Sequence, residues 1–283
     1  MTARVLDGKA LAARIIDEVR VQVAARVGAG KPRPALATIL IGDNPASGIY
    51  VRSKQKNAKQ AGIETFDHRL PDSTSTEELL NLVEQLNRND AVSGVLIQQP
   101  APPQIDMTRV IHELDPVKDV DGFHPINVGL VALGLPGAVE PCTPAGIMEL
   151  LEDAGVEISG SNAVVVGRSN LVGKPAALLL LRRNATVTLC HTRTRDLAGH
   201  TRTADILVAA AGKVDLITKE MVKPGAVVID VSTNWIDGKQ VGDLGEGVDE
   251  VAGWLTPNPG GVGPMTRAML IRNTFQAEAR RRP

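Results

Sequence analysis

The sequence predicts an α/β protein built on parallel sheets. Two observations carry this. Near-continuous apolar runs alternate with helix-period segments along the chain, and residues 162–182 read as strand, glycine turn and helix. Strands covered on both faces show unbroken apolar runs, and the helices between them supply the crossovers that parallel pairing needs. With 283 residues, 43% of them hydrophobic, the chain can bury one large core or two medium ones.

The elements follow in order. Helical periodicity covers 8–27, 46–61, 76–89 and 144–154. Strand-like runs are ALATILIG (35–42), SGVLIQQP (93–100), NAVVVG (162–167), TVTLCH (186–191), DILVAAA (205–211) and AVVIDV (226–231). The proline-rich stretch around Pro141–Pro144 is the best junction between the first group of strands and the second. TPNPGGVGPMT (256–266) is too rich in glycine and proline for regular structure, and its glycines would let backbone approach a ligand. The closing TRAMLIRNTFQAEARRR reads as an amphipathic helix, although periodicity does not say which lobe it packs on.

Composition excludes several classes. A net charge of −1, a pI near 6.5 and 2% aromatics offer neither an electrostatic footprint nor stacking platforms for nucleic acid, nor a pull toward anionic membranes. Two cysteines in so long a chain do not make a disulfide framework. No run of 18 apolar residues occurs, and Asp7, Asp17 and Glu18 interrupt the N-terminus where a secretory signal would need an apolar core. The expectation is a cytoplasmic protein with neither nucleic-acid nor membrane partner.

In the second group of strands, Gly167 lets the chain turn off its strand, and Gly173 would let backbone approach a phosphate at the helix N-terminus, with Pro175 in the first turn. The spacing is not the G-x-G-x-x-G fingerprint, and an unliganded connection has the same look. The next strand adds weight. An enzyme holding the ribose 2′-hydroxyl of NAD places a carboxylate there; this chain has Thr192, Arg193, Thr194 and Arg195 before Asp196. Hydroxyls and guanidinium groups, with Arg168 beside the first glycine, suit a 2′-phosphate, so NADP is expected over NAD. A solvated arginine loop is the competing reading.

In the first group, Tyr50, the chain's one tyrosine, and Lys54 stand four residues apart, on one face of a helix. A solvated basic face explains such a pair equally well. Short-chain dehydrogenases also carry Tyr-x-x-x-Lys, but after their glycine turn, and here the order is reversed. Gln98 and Gln99 end a strand, where open α/β sheets place ligands. DPVKDVDGFHP (115–125) holds Asp115, Asp119 and Asp121, but Lys118 interrupts them, and His124 alone reads as a capping or packing residue, so no metal is expected.

With these residues in place, the chain resembles the bifunctional methylenetetrahydrofolate dehydrogenase/methenyltetrahydrofolate cyclohydrolase family. The matching stretches, in order, are GDNPASGIYVRSKQK, GVLIQQP, DPVKDVDGFHPIN, PCTPAGI, VVVGRSNLVGKP, TVTLCHTRT and PNPGGVGPMT. The resemblance implies Lys54 as catalytic lysine, Tyr50 stacking on the folate, Gln98 bonded to the lysine and Asp121 binding the pterin. Gly167, Arg168, Ser169 and Thr192, with Ser232 and Thr233, would hold the cofactor, and Gly260, Gly261 and Val262 would line a cleft between cofactor and folate. It also implies NADP, tetrahydrofolate substrates, one-carbon supply for purine biosynthesis and a homodimer. The expected architecture is a three-layer α/β substrate lobe over 1–142, to which the helix over 267–283 returns, and a Rossmann-type parallel-sheet NADP lobe over 143–266. An amine acts as a base only when uncharged, so desolvation is expected around Lys54.

Three positions depart from the family pattern: Thr192 stands for serine, Ser232 for glycine, and GDLGEGV (242–248) for the commoner G-D-V-x-F. Three other functions compete: a dehydrogenase without cyclohydrolase, a non-catalytic dinucleotide sensor, and an amino-acid or shikimate-type dehydrogenase. Retention of Lys54, Tyr50, Gln98 and Asp121 argues against the first two, and KDVDGFHP against the third.

Overall fold

The apolar runs become strands and the periodic stretches helices in the computed structural model, which describes residues 2–282. In chain order the elements are β1 (Arg4–Val5), α1 (Gly8–Gly28), β2 (Ala35–Ile41), α2 (Pro45–Gln60), β3 (Glu64–Leu70), α3 (Thr76–Arg88), β4 (Gly94–Ile97), α4 (Met107–Glu113), α5 (Pro125–Leu133) and α6 (Cys142–Asp153). There follow β5 (Asn162–Val166), α7 (Gly173–Arg182), β6 (Thr186–Cys190), α8 (Leu197–Thr201), β7 (Ile206–Ala209), β8 (Val227–Asp230), β9 (Asn234–Ile236), β10 (Lys239–Val241), α9 (Val248–Val251), β11 (Trp254–Leu255) and α10 (Val262–Arg281). The chain divides into two units, Ala13–Cys142 with Arg267–Pro283, and Met1–Ala12 with Thr143–Thr266.

The first unit holds a parallel sheet of order β3-β2-β4. Every residue of β2 is buried, as its unbroken apolar run requires. One face of the sheet packs Ala37, Ile39, Val95 and Ile97 against Leu79, Val83 and Leu86 of α3, whose spacing of four and three puts them on one stripe. Ser75 starts that helix with a capping box: its hydroxyl accepts the Glu78 N–H while the Glu78 carboxylate accepts the Ser75 N–H. β3 escaped the sequence reading because ETFDHRL is an edge strand, half exposed, with little apolar content. The chain's last helix is tied into this unit. Glu278, fully buried, takes Arg26 on one oxygen and the Ser93 hydroxyl on the other, and the Asn273 amide donates to the carbonyls of Val120 and Glu140.

The second unit holds a parallel sheet of order β1-β11-β8-β7-β5-β6. β5 is flanked by β6 on one side and β7 on the other, which makes the β5/β7 pair the point where the winding reverses. The residues that follow β5, β6, β8 and β11 therefore share the carboxyl edge of one sheet, where open α/β sheets take ligands.

Two expectations need correction. Residues 1–12 do not group with the first unit: Arg4 and Val5 pair in parallel with Trp254 and Leu255 at the far edge of the six-stranded sheet. Two residues are too short a run for any periodicity to show. The glycine-rich loop is not irregular to its end, because α10 already begins at Val262. Pro264 is tolerated there, since a first-turn residue has no helical acceptor for the N–H that proline lacks.

Candidate active site

In the first unit, α2 carries Tyr50 and Lys54 one turn apart, Tyr50 exposed and Lys54 half-buried. The helix is fixed on the sheet by Gln55, whose amide donates to the buried Thr38 hydroxyl at 2.8 Å. Gln98 is the first residue beyond β4, held there by its N–H on the Ile39 carbonyl at 2.9 Å. Its side chain is buried, and its Oε1 accepts the Lys54 ammonium at 3.1 Å while its Nε2 donates to the Gln99 carbonyl. The strand end thus fixes the amide, and the amide fixes the amine.

The KDVDGFHP segment separates into scaffold and site. Lys118 is fully buried, and its ammonium donates to the carbonyls of Leu86, Asn87 and Asn89 at 2.7, 2.8 and 2.8 Å, closing the C-terminal end of α3. Asp119, also buried, accepts the N–H groups of Gly122 and His124 at 3.0 and 2.7 Å and the Asn127 amide at 2.9 Å. His124 caps α5: its Nδ1 accepts the Ile126 N–H. Gly122 needs its glycine, because at φ 76° an added Cβ would strike Pro141 and Val139 backbone. Asp121 of this group is the carboxylate on which the Lys54 charge acts. Burial raises its pKa above the ordinary carboxylate value, the Lys54 charge acts against that rise, and Asp119 adds to it.

Sequence reasoning treated Cys142 only as a free cysteine. It lies against Asp121, buried, with its thiol donating to the Val120 carbonyl at 3.2 Å. Burial pushes the thiol well above its ordinary value, and the Asp121 charge pushes the same way. Its place in PCTPAGI was the available signal.

In the second unit, Gly167 follows β5 at φ 124°, and an added Cβ would overlap the Ala210 carbonyl after β7. The two central strand ends meet across this glycine. Gly173 is explained differently from the sequence reading. Its missing side chain makes room for the Gly167 carbonyl of its own loop, not for a ligand. Ser169 draws the loop together, its hydroxyl accepting the Val172 N–H at 3.1 Å and the Gly173 N–H at 3.4 Å. Arg168 and Thr192 are exposed.

The donor set suits a phosphorylated dinucleotide. Among the described residues no carboxylate pairs with Arg168, Arg193 or Arg195, and the N–H groups of Arg168 and Ser169 find no acceptor in the protein. Asp196, the first carboxylate after β6, is turned away to cap α8 through the Gly199 N–H at 3.0 Å. That face presents cations and free N–H donors, as a 2′-phosphate requires.

Ser232 does not offer its hydroxyl. The side chain is buried, donates to Asp243 at 2.7 Å and accepts the Gly212 N–H at 3.0 Å. Two of the departures from the family pattern therefore meet: the 242–248 segment brings in Asp243, which also accepts the N–H groups of Ala211 and Lys213, each at 2.7 Å. Thr233 beside it is exposed. Gly260 and Gly261 follow β11. Gly261 is buried, and a Cβ on Gly8 would overlap its carbonyl, so close packing on the start of α1 already demands these residues; Val262 is buried too.

Comparison with known proteins is consistent along the chain. Residues 6–121 match the catalytic-domain model of the tetrahydrofolate dehydrogenase/cyclohydrolase family, and residues 141–282 match its NAD(P)-binding-domain model. The bifunctional protein FolD of Moorella thermoacetica is 52% identical over 282 residues, 99% of this chain and 100% of the relative. The crystal structure of the Campylobacter jejuni bifunctional FolD superposes with a TM-score of 0.96 at 44% identity, covering 99% of each chain. The Trypanosoma brucei dehydrogenase-cyclohydrolase, solved with NADP cofactor and an inhibitor, gives 0.94 at 39% identity, again over 99% of each chain.

Proposed function

Because the chain belongs to the tetrahydrofolate dehydrogenase/cyclohydrolase family, we propose that Lys54, held by Gln98 and electrostatically coupled to Asp121, carries its folate chemistry. The protein is a bifunctional enzyme. It oxidises 5,10-methylenetetrahydrofolate to the methenyl form with NADP and hydrolyses that product to 10-formyltetrahydrofolate.

The single observation that carries the assignment is the Lys54–Gln98 bond at 3.1 Å. It fixes one amine at a strand end, with a half-buried carboxylate beside it. Bound NADP supplies the acceptor for the hydride leaving the methylene carbon. Everything else falls to side chains. Tyr50 offers an aromatic face to the folate ring system. Asp121 accepts the pterin N–H donors. Water adds to the methenyl carbon and loses a proton as the ring C–N bond opens, and Lys54 moves that proton at Nζ while Gln98 Oε1 keeps the amine from turning away. The Arg168 guanidinium, with Thr192, takes the 2′-phosphate; the N–H groups of Arg168 and Ser169 hold the diphosphate, with Thr233 farther along the same sheet edge. Gly260, Gly261 and Val262, after β11, give the six-stranded unit close-approaching backbone at the same sheet edge. The domain assignment follows the same logic: the three-stranded unit takes folate and the six-stranded unit takes NADP.

Among the described residues no helix is long and apolar enough to cross a membrane. A cytoplasmic location, a homodimer and a place in the one-carbon supply for purines belong to this reading as well.

Both activities measured on wild type and on Lys54→Met test it. Hydrolysis of methenyltetrahydrofolate should fall by about 10²–10⁴-fold, the usual contribution of a positioned acid–base group. A mutant that hydrolyses at the wild-type rate sinks the lysine assignment.

A further inference from the structure

Helix α10 and the residue after it carry five arginines, and four of them have partners. Arg280 donates to the Gly137 carbonyl, Arg281 to the Val92 carbonyl and Asp90, Arg282 to Glu278, and Arg272 is also engaged. Arg267 is the exception. It is half-buried, yet among the described residues no carboxylate, carbonyl or hydroxyl accepts from it. The titratable group that acts on it is Tyr50, the residue one turn before Lys54. Its guanidinium nitrogens still reach water, so the head is an unpaired cation carried on a partly covered stem. That partial burial lowers its pKa, with the Tyr50 phenol acting the other way.

Such a group is understandable if an anion arrives with the ligand. Of the three parts of a folate, the pterin offers N–H donors and a carbonyl, and the p-aminobenzoyl group is uncharged. Only the glutamyl tail carries carboxylates, and the planar fork of arginine matches a carboxylate in two parallel bonds. We propose that Arg267 is the specificity residue for the glutamyl carboxylate of the folate, placed beside Tyr50 on the three-stranded unit. The proposal rests on the folate reading above and adds which part of the substrate this side chain recognises.

The test compares 5,10-methenyltetrahydrofolate with 5,10-methenyltetrahydropteroate, which lacks the glutamate, on wild type, Arg267→Ala and Arg267→Lys. Wild type should show the lower KM for the glutamylated compound. Arg267→Ala should raise that KM by about 10- to 100-fold, leave its kcat nearly unchanged and leave the pteroate KM where it was. Arg267→Lys should fall between, because a point charge cannot make the paired contact. Equal losses on both compounds, or a loss in kcat alone, would overturn the proposal in favour of a structural role. If Arg267→Ala fails to fold, wild type and Arg267→Lys still decide: equal wild-type KM values for the two compounds reject the tail contact. A wild type inactive on both compounds would instead remove the folate reading itself.

Discussion

On the proposed assignment, the two units bind their ligands with different materials. The three-stranded unit works through side chains on rigid elements: an amine on a helix, an amide at a strand end and a carboxylate in a turn that Lys118 and Asp119 hold in place. The six-stranded unit works through backbone at strand ends, two glycines that pack against neighbouring carbonyls, and the exposed Arg168, Arg193 and Arg195, which no carboxylate pairs among the described residues. A site made of few buried side chains is brittle, because each removal leaves a partner unsatisfied. A site made of main chain and surface charge degrades gradually, and its preference is tuned by single exposed residues.

The largest effect expected from this contrast lies in the scaffold of the first unit. Lys118→Met leaves three carbonyls at the end of α3 without their donor, one buried and two part-buried, and should lower the unfolding free energy by about 2–4 kcal/mol. Denaturant melts of both proteins measure it. Their pH dependence sharpens the result. Burial first, and then the nearby Arg281 charge, pull the Lys118 pKa down to about 8. From there up to the usual lysine value of about 10.4 the unfolded chain binds the extra proton, so wild-type stability rises with pH across that window. Lys118→Met should lack that rise; an identical slope in both proteins would show that Lys118 titrates normally in the fold.

A smaller effect is expected at the cofactor face. Arg168→Ala should weaken NADP by about 10- to 100-fold, the range of one charge-assisted bond, and hardly change NAD. Fluorescence titration with both nucleotides reads the difference, and equal losses would show that Arg168 does not read the 2′-phosphate. The smallest belongs to Ser232→Gly, which restores the family's glycine. Asp243 keeps its backbone N–H donors, so stability should drop by about 1 kcal/mol and NADP affinity should stay within about threefold. A tenfold change in affinity would mean that the hydroxyl does reach the nucleotide.

What could be read before the structure follows the same division. The central strands β2, β5, β7 and β8 were legible because burial on both faces leaves an unbroken apolar signature. β3, the β9–β10 hairpin and the two-residue strands β1 and β11 were not: they are edges or short pairings, where tertiary partners decide and periodicity carries little. At the site, Tyr50 and Lys54 stood out by spacing, but only the fold brings Gln98 onto the amine. Arg267 gave no sequence signal, since a missing acceptor is a property of three-dimensional surroundings. The Asp-rich motif shows the converse. Its residues looked alike in sequence, and the structure divides them into a helix-closing lysine, a turn-holding aspartate and one carboxylate on which the Lys54 charge acts.

Each unit contains one cysteine, and both thiols are shielded, Cys142 at 2% exposure and Cys190 at 0%. Their pKa values are raised by that burial, so an alkylating reagent finds little thiolate in the folded protein and reacts when the surrounding structure opens. The chain therefore carries a natural pair of opening reporters: mass spectrometry of the two labelled peptides over time yields a separate local-opening rate for each half, with no engineered probe.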